Sequence, residues 1–216
     1  MGKTKITAHA GCMGTPKDSL EAVKAAVSIK AEICEVDVSA LSDGTPVLKH
    51  DIVLPIDLEL VRLSEVFEYI KDKDILLNLD IKDKNALKQI DVQVESYGLE
   101  SRVFLTGITE KEALQLFGTG FKLKYYLNHD IKPSFVKFNY DDYLNKLIET
   151  IKRFGCIGLN SNYRFCSQKV VEKIHDSGLL VSVWTVDKPE DMKKLIDMGV
   201  DNITTKRPDL LLDIIH

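Results

Sequence analysis

The sequence predicts an α/β fold, a single TIM-type (β/α)8 barrel occupying residues 1–216 as one domain. Short β-branched, apolar runs alternate with longer amphipathic segments from end to end, the pattern of parallel strands joined by crossover helices. Eight such pairs fit in the chain, the number that a closed barrel needs. No linker, low-complexity tract or tandem repeat divides the 216 residues. The rival, an open doubly wound sheet, has no need of eight units, and no G-x-G-x-x-G follows the first strand.

The elements follow in order. A strand over 6–11 ends in Thr7-Ala8-His9-Ala10-Gly11, and an amphipathic segment spans 18–31. The second strand, 33–40, leads through Asp43-Gly44 into the run Val47-Leu48-Lys49, and Asp-Gly between strand-like runs signals a hairpin. A helix over 61–71 closes that unit. Strands at 75–82, 102–108, 122–128 and 156–162 then pair with helices at 84–97, 109–117, 141–154 and 167–177. The seventh strand, 180–186, precedes Lys188-Pro189-Glu190-Asp191, where proline in the first turn with acids behind it starts a helix over 188–198. A strand at 201–205 and a helix at 208–215 complete the series.

Composition narrows the function. Lys and Arg number 29 against 33 Asp and Glu, interleaved throughout for a net charge of −4, so no basic stretch points to nucleic acid or anionic lipid. Nowhere do about twenty apolar residues run together, and Met1-Gly2-Lys3-Thr4-Lys5-Ile6 leaves no room for a signal peptide or a myristoylation site. The four cysteines form no C-x-x-C pair, which argues against zinc and redox frameworks and for reduced thiols in the cytoplasm. Cys34, inside an apolar strand, is expected to pack as a small hydrophobe.

Chemistry gathers on the first three strand ends. In Ile33-Cys34-Glu35-Val36-Asp37-Val38, period-two alternation puts Glu35 and Asp37 on one face and the apolar residues on the other. With the apolar set toward the helices, both carboxylates point to the barrel mouth, where a bound cation relieves their repulsion. If Asp43-Gly44 is a two-residue loop, paired positions sum to 87 and His50 lies opposite Asp37. Asn78, Asp80 and Lys82 share one face of the third strand, and His9 arrives from the first. Three carboxylates favour a hard divalent cation, Mg²⁺ or Ca²⁺, and two histidines supply an acid and a base. Lys82 can balance charge on a phosphoryl oxygen. His175 reads as a helix residue on a solvated face and His129 as a loop residue. Thr106, Asn128 and Asn160 are candidate rim contacts, and Trp184 is either core or a substrate wall.

These residues resemble the glycerophosphodiester phosphodiesterase family along essentially the whole chain. His9-Ala10-Gly11 resembles the family's His-Arg-Gly, and Pro16-Lys17-Asp18-Ser19 its Pro-Glu-Asn-Thr. Glu35-Val36-Asp37-Val38, Asp43-Gly44 and Val47-Leu48-Lys49-His50-Asp51 match in type and spacing, and Asp80-Ile81-Lys82 matches a Glu-x-Lys element. Val183-Trp184-Thr185-Val186, Gly199-Val200-Asp201 and Arg207-Pro208-Asp209 complete the pattern. The resemblance implies hydrolysis of glycerophosphodiesters to glycerol 3-phosphate and an alcohol. It implies one divalent cation on Glu35, Asp37 and Asp80, His9 and His50 as the acid/base pair, Lys82 on the phosphate and Trp184 lining the pocket.

The chain departs from the family at three positions. Ala10 replaces the arginine, Lys17 the following glutamate, and Asp80 a glutamate, which shortens that ligand by about one bond, ~1.5 Å. Lys17 is the expected replacement cation, whereas Lys49 is expected to face away. Only 51–60 separate the hairpin from the next helix, so the cap inserted after strand 2 is expected to be reduced. The departures leave a second reading, a non-catalytic barrel that binds a phosphorylated ligand or a partner protein. Which histidine is the base, and whether water or a substrate hydroxyl attacks, stays open at this level.

Overall fold

The computed structural model describes residues 3–57, 59–132 and 139–215. Its strands are β1 (Lys5–Ala8), β2 (Ile33–Ala40), β3 (Pro46–Leu48), β4 (Leu76–Ile81), β5 (Val103–Thr106), β6 (Lys124–Tyr125), β7 (Leu127–Asn128), β8 (Gly158–Asn162), β9 (Leu180–Trp184) and β10 (Asn202–Thr205). Its helices are α1 (Leu20–Ser28), α2 (Leu63–Ile70), α3 (Leu87–Tyr97), α4 (Glu110–Leu116), α5 (Tyr140–Arg153), α6 (Gln168–Asp176), α7 (Pro189–Met198) and α8 (Pro208–Ile215). The sheet runs β6-β5-β4-β2-β1-β10-β9-β8-β7 with parallel pairings, and β3 lies antiparallel on β2. Tyr126 separates β6 and β7, which are two halves of one stave. Its N–H donates to Leu105 O (3.0 Å), and Ile157 N–H donates to Tyr125 O (2.9 Å), so the ring closes with eight staves.

The core lies between barrel and helices. In α2, Leu63, Val66, Phe67 and Ile70 are buried at helical spacing, and Cys34, Val36 and Val38 of β2 are buried on the helix-facing side. All eight residues of β2 are buried, so its other face, with Glu35 and Asp37, is enclosed by the barrel.

The hairpin register differs from expectation. Val38 pairs with Leu48 and Ala40 with Pro46, so partners sum to 86 and Lys49, not His50, stands opposite Asp37. Lys49 N–H donates to Asp37 O (3.1 Å). The cause is a three-residue turn, Ser42-Asp43-Gly44, in which Gly44 adopts φ +85° and Leu41 N–H donates to Thr45 O (2.9 Å). A left-handed residue closing a three-residue loop is a bulged turn, one residue longer than the two-residue form. The first strand also ends at Ala8, because the chain turns at once and Cys12 N–H donates to His9 O (2.7 Å). Between β3 and α2, the described residues form turns and a single bridge, Val47 with Arg62, and no inserted helix; residue 58 lies outside the described residues.

Candidate active site

The parallel register brings the acids together. Glu35 is level with Asn78, and Asp37 with Asp80, which in turn is level with Thr106. A cavity of about 340 Å³ opens there, lined by His9, Glu35, Asp37, His50, Asn78, Asp80, Lys82, Thr106, Gly107, Asn128, Asn160, Trp184, Thr185 and Thr204. These residues sit at or just past the C-terminal strand ends, where barrel active sites form.

The three carboxylates each offer an oxygen within 4.8 Å of the others. Glu35 Oε2 accepts from Ala10 N–H (2.8 Å), and burial first, then Asp37 and Asp80, holds its pKa well above the usual carboxylate range. Asp80 Oδ2 lies 2.6 Å and Asp37 Oδ1 3.1 Å from Lys82 Nζ. Burial alone would weaken that ammonium, but Asp80 and Asp37 outweigh it and raise the pKa of Lys82. Asp37 Oδ2 is buried and has no hydrogen-bond partner among the described residues. One lysine against three acids leaves the cluster negative, and an unpaired buried carboxylate oxygen is costly. The residues therefore fit a divalent cation, which would take up that oxygen. The shorter Asp80 still reaches the cluster. Gly107 makes room for it, since a Cβ there would lie 2.6 Å from Asp80 Oδ1 and 2.4 Å from Ile81 O.

The histidines flank the acids in different settings. His9 Nδ1 lies 2.6 Å from Ala10 O, which leaves Nε2 as the acceptor of the neutral ring, and burial lowers the His9 pKa. His50 is half-exposed; its N–H donates to Asp18 Oδ2 (3.0 Å), and its Nδ1 lies 3.0 Å from Asp51 Oδ1. The register shift thus moves His50 off the hairpin pairing but not out of the cavity.

Thr106, Asn128 and Asn160, expected only as rim contacts, line the cavity beside the acids. Thr106 Oγ1 donates to Asn78 Oδ1 (3.0 Å), and Asn128 Oδ1 accepts from Gly107 N–H (2.9 Å) and Asn160 Nδ2 (3.1 Å). Trp184 lines the cavity wall. Lys17 is exposed and is not among the lining residues; its stem lies over Gly11, 3.0 Å from where a Cβ would stand. Lys49 turns away to Asp57 (2.5 Å). His129 contacts the Tyr143 hydroxyl outside the cavity. His175 is half-buried rather than solvated, because its Nε2 bonds Asp201 Oδ2 (2.8 Å).

Three residues were missed from sequence. Asp18, at φ +55°, anchors the His50 backbone, and burial raises its pKa. Gly107 follows a strand without marking itself as a close approach. Lys206, exposed and like Lys17 not among the lining residues, directly follows Thr205, whose carbonyl accepts from His9 N–H (2.9 Å). Strand alternation past Thr204 was the available signal.

Residues 53–210 match the model of the glycerophosphoryl diester phosphodiesterase family. The chain belongs to this family. Members are phosphoric diester hydrolases, and the acidic triad agrees with their use of a divalent metal. The match begins after Glu35, Asp37 and His50, but relatives extend it. A glycerophosphodiester phosphodiesterase of Caldanaerobacter subterraneus subsp. tengcongensis is 26% identical over 250 residues, covering 99% of this chain and 98% of its own. The fold matches a Parabacteroides distasonis glycerophosphodiester phosphodiesterase (TM-score 0.79, 24% identity, 100% and 98% coverage). It also matches an Oleispira antarctica phosphodiesterase solved with the product sn-glycerol-3-phosphate (TM-score 0.73, 18% identity, 99% and 97% coverage).

Proposed function

We propose that the protein, acting as one barrel unit over residues 1–216, hydrolyses a small glycerophosphodiester in the cytoplasm to glycerol 3-phosphate and an alcohol. Glu35, Asp37 and Asp80 hold one divalent cation, Mg²⁺ or Ca²⁺, and the unpartnered, buried Asp37 Oδ2 is the observation that carries this reading. Such a cation supplies Lewis-acid stabilisation of charge on the phosphoryl group.

His9 is the base. Burial keeps its ring neutral, Ala10 O holds the Nδ1 proton, and Nε2 takes the proton of the attacking nucleophile, either water or a substrate hydroxyl whose cyclic phosphate water then opens. His50, carried beside Asp51 and Asp18, gives a proton to the departing alkoxide. Lys82 uses two donors on Asp37 and Asp80 and has a third for a phosphoryl oxygen. Trp184 borders the space for the alcohol. Lys206, not Lys17, takes the place of the arginine absent at position 10. It follows the Thr205 carbonyl that binds His9 N–H, and its charge lowers the His9 pKa more than that of Lys17. Among the described residues no helix is long and apolar enough to cross a membrane, which suits a small dissolved substrate.

The test is a panel of glycerophosphocholine, glycerophosphoethanolamine, glycerophosphoinositol and lysophospholipids, with Mg²⁺, with Ca²⁺ and with chelator. Metal-dependent release of glycerol 3-phosphate from at least one glycerophosphodiester is expected. Absence of that product from every substrate would reject the reading in favour of the non-catalytic barrel.

A further inference from the structure

The opposite end of the barrel holds a second cavity, about 450 Å³ against about 340 Å³ at the catalytic mouth. Residues at the starts of the strands line it, among them Lys5, Ile33, Leu76, Phe104, Lys124 and Leu180. Alternation fixes which of them face the barrel axis. Thr7 donates to Asn202 of the neighbouring β10 inside the barrel (2.6 Å), and Lys5 lies two residues before Thr7. Ile33, Leu76 and Phe104 lie two residues before Glu35, Asn78 and Thr106, which line the catalytic cavity. Lys124 is in register with Phe104 and shares its face. In the ring of eight staves, β1 and β6 are four apart, so Lys5 and Lys124 project from opposite walls over an apolar floor.

Tyr126 adds a hydroxyl donor to the floor. Its ring is buried, 5% exposed, and lines this cavity, and its hydroxyl is not among the buried, unpartnered polar atoms but opens to the cavity. The adjacent Tyr125 hydroxyl, by contrast, donates to Phe154 O (2.6 Å). The single acid on this wall, Asp201, is already held by His175 Nε2 (2.8 Å) and Val181 N–H (2.7 Å). Among the described residues neither Lys5 nor Lys124 has a carboxylate within ion-pair distance. Leu180 keeps 40% of its surface exposed at the same place.

We propose that this floor is a second binding site, for a small organic anion with an apolar body. The carboxylate or phosphate head lies between the Lys5 and Lys124 ammoniums and accepts the Tyr126 hydroxyl proton in a hydrogen bond. The apolar body covers Ile33, Leu76, Phe104 and Leu180. A few convergent polar groups in an apolar cavity of this size are what small-molecule sites present, and the proposal is independent of the catalytic reading.

Isothermal titration of the full chain with decanoate, decyl phosphate and decanol, all below micellar concentration, tests it. Binding of at least one anion and not of decanol is expected, and the two heads distinguish carboxylate from phosphate recognition. Binding should persist with the catalytic end saturated by glycerol 3-phosphate. Lys5→Met with Lys124→Met should weaken binding at least tenfold and Tyr126→Phe several-fold, while Lys5→Arg with Lys124→Arg retains it, each with melting confirmed. No anion binding up to millimolar concentration, equal binding of decanol, competition by glycerol 3-phosphate, or wild-type affinity in the double methionine variant would overturn it.

Discussion

Lys82 Nζ lies 3.1 Å from Asp37 Oδ1, while the other oxygen of that carboxylate, Oδ2, is buried and unpartnered. One ammonium therefore serves half of a carboxylate and shares itself with Asp80 (2.6 Å). A divalent cation that binds only the folded chain stabilises it by about 2.7 kcal/mol at a hundred times its dissociation constant. For a chain of this length that is a rise in Tm of about 5–10 °C. We expect that rise with Mg²⁺ or Ca²⁺, its loss in Asp37→Asn, and loss of turnover in chelator. Full turnover by metal-free protein would refute it.

Glu35 gives a pH signature in the metal-free protein. Its raised pKa means that the folded state holds the proton longer than the unfolded chain. The associated stability is fully present below the ordinary value of 4.5 and is lost as pH rises through the higher folded value. Glu35→Gln can keep the bond from Ala10 N–H and removes the ionisation. Its metal-free Tm should exceed that of wild type at neutral pH, and the two should converge toward pH 4. Melts across that range decide, and identical pH profiles would count against it.

His9→Ala and His50→Ala should fold normally and lose on the order of 10²-fold or more in kcat, typical of general acid–base groups. Because burial depresses the His9 pKa, the base is neutral down to below its ordinary 6.5, so the acid limb of kcat/KM should fall below that value. Near-wild-type rates in both variants would return the protein to the non-catalytic reading.

Lys206→Ala should lower kcat/KM for a glycerophosphodiester by tenfold or more, with Lys206→Arg partly active, and Lys17→Ala should do less. Both lysines are exposed, and the order rests on the Thr205 carbonyl that binds His9 N–H next to Lys206 and on the larger effect of the Lys206 charge on the His9 pKa. Steady-state kinetics of the three variants beside wild type measure it, and a larger loss in Lys17→Ala reverses the assignment.

Gly107→Ala should destabilise the fold and loosen the metal site. The backbone there sits at φ +75°, and the new methyl would stand 2.4 Å from Ile81 O. A left-handed L-residue costs about 1–2 kcal/mol before any overlap, or a fall in Tm of about 2–8 °C. Weaker metal affinity should accompany it, because the methyl displaces Asp80. Calorimetry with and without metal checks both, and an unchanged Tm would show that the loop relaxes freely.

Sequence alone determined the barrel and which side chains of its early strands face the cavity. Period-two alternation placed Glu35, Asp37, Asn78 and Asp80 on inner faces, because a parallel strand between helices and a barrel interior has no other way to sort apolar from charged side chains. Alternation is local, so it could be read without coordinates. The hairpin register was not local in the same sense. It turned on whether Gly44 ends a two- or a three-residue turn, and the extra residue put Lys49 opposite Asp37. Tertiary structure also brought the charge of Lys206 near His9, since the two are almost a whole chain apart and come together only where β10 closes onto β1. It decided that Asp37 Oδ2 is left without a partner and that Asp80, one bond short, still reaches the cluster past Gly107. Those outcomes depend on distances between strands that touch only when the ring closes, and no spacing along one strand contains them.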